Sequence, residues 1–113
     1  MFSKKNRLSS AEFSRTIKKG KGYSSPALHV KLIKNSTGYI RIGVGVSKQL
    51  ATRPTKRNYY KRILKNTLFA VLPEKDTPYD VVIIARESAG DKSFEELKKD
   101  AKDLLQKTPI FSK

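Results

Sequence analysis

The spacing of apolar residues changes along this chain, and each change marks a predicted element. Ser9 followed three residues later by Glu12 is the capping-box pattern of a helix start. Phe13 and Ile17 then lie at helical spacing, which predicts a short amphipathic helix. Gly20 is typical of a helix end, so we expect this first helix to stop just before it.

Two segments then alternate apolar and polar residues with a period of two, which predicts half-buried strands over 27–33 and 39–46. The sequence Asn-Ser-Thr-Gly between them has turn chemistry, so we expect the two strands to form a hairpin. The second strand places Arg41, Gly43 and Gly45 on the face opposite its apolar residues. Because two of these three residues lack a side chain, that face is open to close approach by backbone or by a ligand.

The second half of the chain contains the patterns of two more helices and one strand. Pro54 suits a first helical turn, and helical spacing predicts a helix over 55–72. Residues 79–85 are a nearly continuous apolar run, which is typical of a strand buried on both faces. A second capping-box pattern, Ser-Phe-Glu-Glu, opens a last amphipathic helix over 94–107.

Together these elements predict the fold class. Their order is α-β-β-α-β-α, with a possible extra short first strand. The strand over 39–46 and the strand over 79–85 are joined by a helix, as in a parallel β-α-β crossover. We therefore predict a single α+β domain over 1–113, a small sandwich with a mixed sheet.

The charge of the chain is unevenly distributed. Positions 1–73 hold seventeen basic residues and one acid, Glu12, whereas positions 74–113 hold eight basic residues and nine acids. The net charge of +15 therefore lies in the first two-thirds of the chain. A folded domain with this asymmetry repels itself unless a polyanion binds to it, so we expect a highly charged partner.

Composition excludes several kinds of site. The chain has no cysteine and one histidine, which excludes disulfides and thiol chemistry and argues against a His/Cys metal site. His29 is mid-strand with no serine, cysteine or paired carboxylate to serve, so we interpret it as structural. No run approaches the roughly 20 apolar residues of a membrane span, and no apolar segment of a secretion signal follows the basic N-terminus. We therefore expect a soluble, cytoplasmic protein.

The predicted helix over 55–72 has one cationic and one apolar face. Arg57, Lys61 and Lys65 recur every four residues, and no acid accompanies them. Like charges at this spacing destabilise an isolated helix by a few tenths of a kcal/mol per pair, roughly, so a merely solvated face would normally include glutamate. We therefore interpret this face as binding a polyanion. Of the two adjacent tyrosines, we expect Tyr60 to pack in the core and Tyr59 to be a candidate for stacking on a nucleotide.

Three short motifs in this region resemble a known family. They are Gly-Val-Gly-Val-Ser-Lys ending at Lys48, Lys-Arg-Asn ending at Asn58, and the pair Lys61 and Arg62. With their spacing, and with the register of nearly the whole chain from an Asn-Arg-Leu opening to the last amphipathic helix, the sequence resembles the protein subunit of bacterial ribonuclease P.

Two positions depart from the pattern of that family. Tyr59 replaces the second arginine of its Arg-Asn-Arg triplet, and Gln49 stands where a lysine usually follows the position of Lys48. Both departures lower the local charge, and neither changes the spacing of the motifs.

The resemblance implies a specific partnership with RNA. In that family the RNA subunit is the catalyst that removes the 5′ leader from precursor tRNA, with magnesium held by RNA. No catalytic residue, metal site or cofactor is therefore expected in the protein, which would bind ribonuclease P RNA and precursor tRNA, as one copy per RNA, and no membrane or small-molecule substrate. The residues expected to face the catalytic RNA are Lys48, Arg53, Lys56, Arg57, Asn58, Lys61, Arg62 and Lys65. Those expected in a leader cleft between the sheet and the first helix are Phe13, Ile17, Lys31 and Arg41. The family fold has a left-handed β-α-β crossover, against the usual right-handed rule.

Other functions are compatible with parts of the sequence. A ribosomal or general RNA-binding protein would suit the composition, although the motif register would then be a coincidence. A stand-alone nuclease would need a general acid and base or carboxylate ligands near the basic face, and the stretch over 13–73 contains no acid. DNA binding is compatible with a basic helix, but nothing resembles a helix-turn-helix pair.

Overall fold

The computed structural model describes residues 6–50, 54–72 and 77–111. Its elements are α1 (Ser10–Lys19), β1 (Lys21–Ser24), β2 (Leu28–Lys34), β3 (Arg41–Val46), α2 (Pro54–Val71), β4 (Tyr79–Ala85) and α3 (Phe94–Gln106). Short 3-10 helices at Glu87–Asp91 and Pro109–Phe111 flank α3. The three helices and the long strands therefore lie where the apolar pattern predicts them, and the extra short first strand is present as β1.

The two capping boxes form as the sequence predicts. The Ser9 backbone N–H donates to the Glu12 carboxylate over 2.8 Å, and the Glu12 N–H donates to the Ser9 hydroxyl over 3.2 Å. Ser93 and Glu96 repeat the arrangement at the start of α3 over 2.9 and 3.2 Å. Each box gives a hydrogen-bond acceptor to two backbone N–H groups that a helix start would otherwise leave to solvent. Both helices therefore begin at defined residues.

The four strands form one mixed sheet in the order β1-β2-β4-β3. β2 is antiparallel to both β1 and β4, and β3 is parallel to β4. The parallel crossover from β3 through α2 to β4 is therefore confirmed, whereas the predicted hairpin between the strands now called β2 and β3 is wrong. β4 lies between them, because its apolar run is stable only where it is covered on both faces and paired on both edges. The Asn-Ser-Thr-Gly turn instead forms a wider connection, in which Asn35 donates to the Tyr39 carbonyl over 3.1 Å.

The strand register assigns each residue to one of two faces. On one face Val81 and Ile83 of β4 join a buried core with residues of α2 and α3 such as Leu64, Leu68 and Leu105. On the other face lie Arg41, Gly43 and Gly45 of β3 and their β4 partners Asp80, Val82 and Ile84. Helix α1 packs there, against β2 and β4. The domain is thus a three-layer sandwich, with α1 on one face of the sheet and α2 with α3 on the other.

Over 6–50, 54–72 and 77–111, no helix is both long enough and apolar enough to span a lipid bilayer.

Candidate nucleic-acid interface

Helix α2 is anchored by one face and exposed on the other. Ile63, Leu64, Thr67 and Leu68 are buried, and the Thr67 hydroxyl donates back to the Ile63 carbonyl over 2.8 Å. The predicted RNA-facing residues of this helix are all exposed: Lys56, Arg57, Asn58, Lys61, Arg62 and Lys65. Lys48, in the loop after β3, is exposed as well. The predicted residue Arg53 lies outside the described residues.

Among the described residues, no carboxylate forms an ion pair with the cations on α2. Within the part of the chain that the structure describes, ion pairs form between Arg41 and the carboxylates of Glu12 and Asp80, and none forms on the exposed face of α2. The positive field of α2 is therefore directed into solvent, where a polyanion can approach it.

The two tyrosines of the motif differ in their surroundings. Tyr60 is half-buried and packs against the core, which confirms its predicted role. Tyr59 is 46% exposed, and its ring meets that of Tyr60 edge to face with centroids 5.2 Å apart. This contact holds one edge of Tyr59 and leaves much of its surface in solvent, so stacking on a nucleotide remains a prediction.

A groove runs beside this face, between the segment that precedes α1, strand β3 and helix α2. It consists of two adjoining cavities of about 450 and about 610 Å³. Both are lined by Leu8, Phe13, Val44 and Lys61. The first also reaches Arg57, and the second reaches Asn6, Arg7, Arg62 and Lys65. The structure therefore brings Phe13, predicted for the leader cleft, onto the same groove as four of the residues predicted to face the catalytic RNA.

The segment before α1 forms one wall of the groove because it pairs with the free edge of β3. The Leu8 N–H donates to the Ile42 carbonyl over 3.0 Å, and the Asn6 amide donates to the Ile40 carbonyl over 2.6 Å. Asn6, Arg7 and Leu8 are not among the residues predicted for either site. The signal that could have identified them is the Asn-Arg-Leu opening, whose role depends on an edge strand that only the sheet order shows.

The floor of the groove is the glycine face of β3. A Cβ atom added at Gly43 would lie 2.6 Å from Cδ2 of Phe13, closer than two carbon atoms can approach. A Cβ at Gly45 would lie 3.5 Å from the same ring, an ordinary contact. A close approach to this face is confirmed, but the group that approaches is the side-chain ring of Phe13 rather than the predicted backbone or ligand.

Arg41 lies on the same face of β3, and its guanidinium is bound to two carboxylates. Nε and Nη2 donate to the two oxygens of Asp80 over 2.7 and 2.8 Å, and Nη1 donates to Glu12. The side chain of Asp80 is 1% exposed and that of Arg41 is 14% exposed. The hydrogen bonds that Arg41 donates to Asp80 are the main cause that raises the pKa of Arg41. The pKa of Glu12 is lowered, first by the Ser9 N–H and further by Arg41. Arg41 thus ties α1 to β3 and β4.

The remaining leader-cleft residues, Ile17 and Lys31, are both half-buried, Ile17 on α1 and Lys31 on β2. Lys31 lies on the α1 face of the sheet, since the register places it beside Val82. The structure therefore places all four predicted leader residues on α1 or on the sheet face that α1 covers.

His29 has a hydrogen-bonding partner that the sequence analysis did not foresee. Its Nδ1 lies 2.6 Å from the hydroxyl of Ser24, which faces it across the β1–β2 pair, so the expectation that no serine lies beside it is wrong. Burial lowers the pKa of His29, and the cations Lys31 and Arg86 lower it further. The charged groups that act on the imidazole are thus cations, whereas a catalytic histidine is typically oriented by a carboxylate.

The described residues contain no group of three or more His, Cys, Asp or Glu side chains placed to hold a metal ion. The electrostatics and shape of the site suit a flexible polyanion. The cations of α2 can bind phosphates, and the Phe13 groove offers an apolar surface for bases.

Comparisons with known proteins agree with this arrangement. The family model described as Ribonuclease P matches residues 2–109. The chain is 35% identical over 101 residues to the ribonuclease P protein component of Clostridioides difficile (strain 630), covering 88% of each chain. It is 36% identical over 114 aligned positions to that of Bacillus velezensis, covering 97% of this chain and 95% of the relative.

Solved structures show the same similarity in three dimensions. The RNase P protein of Staphylococcus aureus superposes with a TM-score of 0.83 at 25% identity, covering 95% of this chain and 98% of that one. The RNase P protein from Thermotoga maritima superposes with a TM-score of 0.76 at 25% identity, covering 90% and 96%.

Proposed function

This chain belongs to the ribonuclease P protein family, and from that premise we propose that it is the protein subunit of ribonuclease P. It binds the catalytic RNA and the 5′ leader of precursor tRNA, and it assists the cleavage that produces the mature 5′ end. One observation carries the proposal: the exposed face of α2 presents the cationic motif of the family without a neutralising acid among the described residues.

The face of α2 has the chemistry that a phosphate backbone requires. Arg57 and Arg62 carry planar guanidinium groups that can donate two parallel hydrogen bonds to phosphate oxygens. Asn58 can donate and accept at the same time. Lys61 and Lys65 add point charges, whose neutralisation of phosphates releases counterions and gives affinity without reading bases. This face, with Lys48, Arg53 and Lys56, is the surface we assign to the catalytic RNA.

The groove is the surface we assign to the leader. A single strand can lay a base on the ring of Phe13, with Ile17 and Lys31 also on the α1 side of the sheet. The cations that line the groove lie close enough to the same strand to bind its phosphates. The leader and the catalytic RNA would thus meet along α2, where Lys61, Arg62 and Lys65 belong to both surfaces.

We assign the cleavage chemistry, with its magnesium, to the RNA subunit. The side chains that line the groove are cationic, apolar or hydroxyl groups, apart from the amide of Asn6, and none of them is a carboxylate. Glu12 and Asp80, on the α1 side of the sheet, are bound to Arg41. These residues suit binding and charge neutralisation rather than general acid–base catalysis. We further propose one copy of the protein per RNA, in the cytoplasm.

Reconstitution tests the function directly. Precursor tRNA is incubated with the ribonuclease P RNA of the same organism at low magnesium, with and without the protein. We expect efficient cleavage at the mature 5′ end only when both subunits are present. Cleavage by the protein alone would show a nuclease instead. Salt-dependent RNA binding without any effect on cleavage would show a ribosomal or general RNA-binding protein.

A further inference from the structure

Arg41 differs from the other cations on the RNA-binding side because its donors already face carboxylates. It binds both oxygens of Asp80, whose side chain is 1% exposed, and it binds Glu12 at the start of α1. Asp80 also accepts from the amide of Asn35 over 2.8 Å. Three of the five N–H donors of Arg41 are bound to these carboxylates and its side chain is 14% exposed, so little of the guanidinium is left for a phosphate. The geometry therefore argues against Arg41 as an RNA ligand.

The ion pairs of Arg41 lie next to the contact between the Phe13 ring and Gly43 in the groove. Glu12, which Arg41 binds, immediately precedes Phe13 on α1. Arg41 itself lies two residues before Gly43, on the same face of β3. The ring of Phe13 touches the backbone at Gly43, where no Cβ would fit. The Arg41–Glu12 ion pair and the Phe13–Gly43 contact are therefore neighbouring contacts, and both join α1 to β3.

We propose that Arg41 is a positioning residue, which holds α1 against β3 through Glu12 and thereby sets the position of the Phe13 ring over Gly43. The ligand whose binding it controls is the single-stranded leader in the groove, so the proposal rests on the proposed function. Arg41 acts through Phe13 and does not contact the RNA. Lysine cannot replace it, because an ammonium group cannot bind two oxygens of Asp80 and also reach Glu12 in the same planar geometry.

Two glycines allow this proposal to be tested without changing any charge. In Gly43→Ala the new Cβ would lie 2.6 Å from the Phe13 ring, so the ring or the helix must move. In Gly45→Ala the same methyl group, on the same strand and face, makes contacts of 3.4 and 3.5 Å and fits. Gly43→Ala therefore acts on the ring from the side of the strand and removes no charged group, and Gly45→Ala is its matched control.

The experiment uses the reconstituted holoenzyme and two precursor tRNAs, one with a long leader and one with a single leader nucleotide. We expect Arg41→Lys and Gly43→Ala each to lower kcat/KM for the long-leader substrate about 10-fold, below the 100-fold that a 1 Å misplacement can cause. The loss should be in KM. The short-leader substrate and the affinity for ribonuclease P RNA should stay at wild-type values, and Gly45→Ala should behave as wild type. The double variant should lose no more than the more impaired single variant, because both changes move the same ring.

Each alternative gives a different result. If Arg41→Lys impairs cleavage and Gly43→Ala does not, Arg41 contacts RNA directly and the proposal is wrong. If Gly43→Ala impairs cleavage and Arg41→Lys does not, the Arg41 ion pairs do not set the ring position. If both variants impair the long-leader and short-leader substrates equally, they act on overall stability. If the wild-type protein does not stimulate cleavage of either substrate, the proposed function itself fails, which is distinct from these three results.

Discussion

Arg41 and Arg57 carry the same side chain and face different neighbours. Arg41 is 14% exposed and binds Glu12 and Asp80. Arg57 is exposed on α2, and none of the described carboxylates pairs with it. A phosphate at Arg41 would compete with the charged hydrogen bonds to Glu12 and Asp80. A phosphate at Arg57 would replace only water. At the scale of the residue, the partner already in place therefore decides whether a cation is available to RNA.

The first prediction concerns the arginines of the exposed face. Changing Arg57 and Arg62 together to Ala removes two phosphate contacts, so RNA affinity should fall about 10-fold or more and the plot of log K against log salt should become shallower by about 2. Thermal unfolding should change little, since both side chains are exposed. The measurement is a salt series of binding to ribonuclease P RNA. A large loss of thermal stability with unchanged affinity would mean that this face is structural.

Helix α2 shows how one element serves both the core and the interface. Its buried face is apolar and packs in the core, and its exposed face carries like charges that oppose helix formation in isolation. The helix is therefore held by tertiary burial rather than by its own propensity. Because four residues that line the groove also lie on α2, the position of the groove depends on how that helix packs.

The second prediction uses adjacent residues of α2. Leu64 is 0% exposed, so Leu64→Ala should lower the free energy of unfolding by about 2–5 kcal/mol. Lys65 is exposed, so Lys65→Ala should change it by no more than about 0.5 kcal/mol. Urea unfolding measures both values. RNA affinity of the folded proteins should show the reverse order, and a loss of affinity for Leu64→Ala alone would contradict the division into two faces.

The whole molecule carries a net charge of +15, with the basic residues concentrated before position 74. The exposed acids of α3, including Glu95, Glu96 and Asp103, alternate with lysines on a helix that packs on the face of the sheet opposite α1. The excess positive charge therefore belongs to the part of the chain that contains α2 and the groove, and it opposes compaction when no anion is bound.

The third prediction follows from this self-repulsion. We expect the free protein to be partly disordered at low salt and to gain structure on addition of sulfate or phosphate, because anions that bind only the folded state stabilise it. The gain should reach about 2.7 kcal/mol when the anion is at about 100 times its dissociation constant. Circular dichroism during titration measures this. Chloride at equal ionic strength is the control, and an equal effect of chloride would show simple screening rather than anion binding.

Features that depend on residues near each other in the chain could be predicted from the sequence. The capping boxes, the periods of the helices and strands and the acid-free face of α2 are all local patterns, and the structure confirms them. The family motif is a short-range pattern as well, because its spacing on one helix determines which of its side chains share a face.

Features that depend on which distant segments become neighbours could not be predicted in this way. The predicted hairpin failed because burial of β4 on both faces outweighs a local turn signal, and no local pattern states which strand will lie beside it. The groove exists only because the segment before α1 pairs with the edge of β3, and Arg41 is withheld from solvent only because Asp80 lies beside it across the parallel pair. Charge can be read from the sequence, but the partner of a charge is set by the packing of the whole sheet.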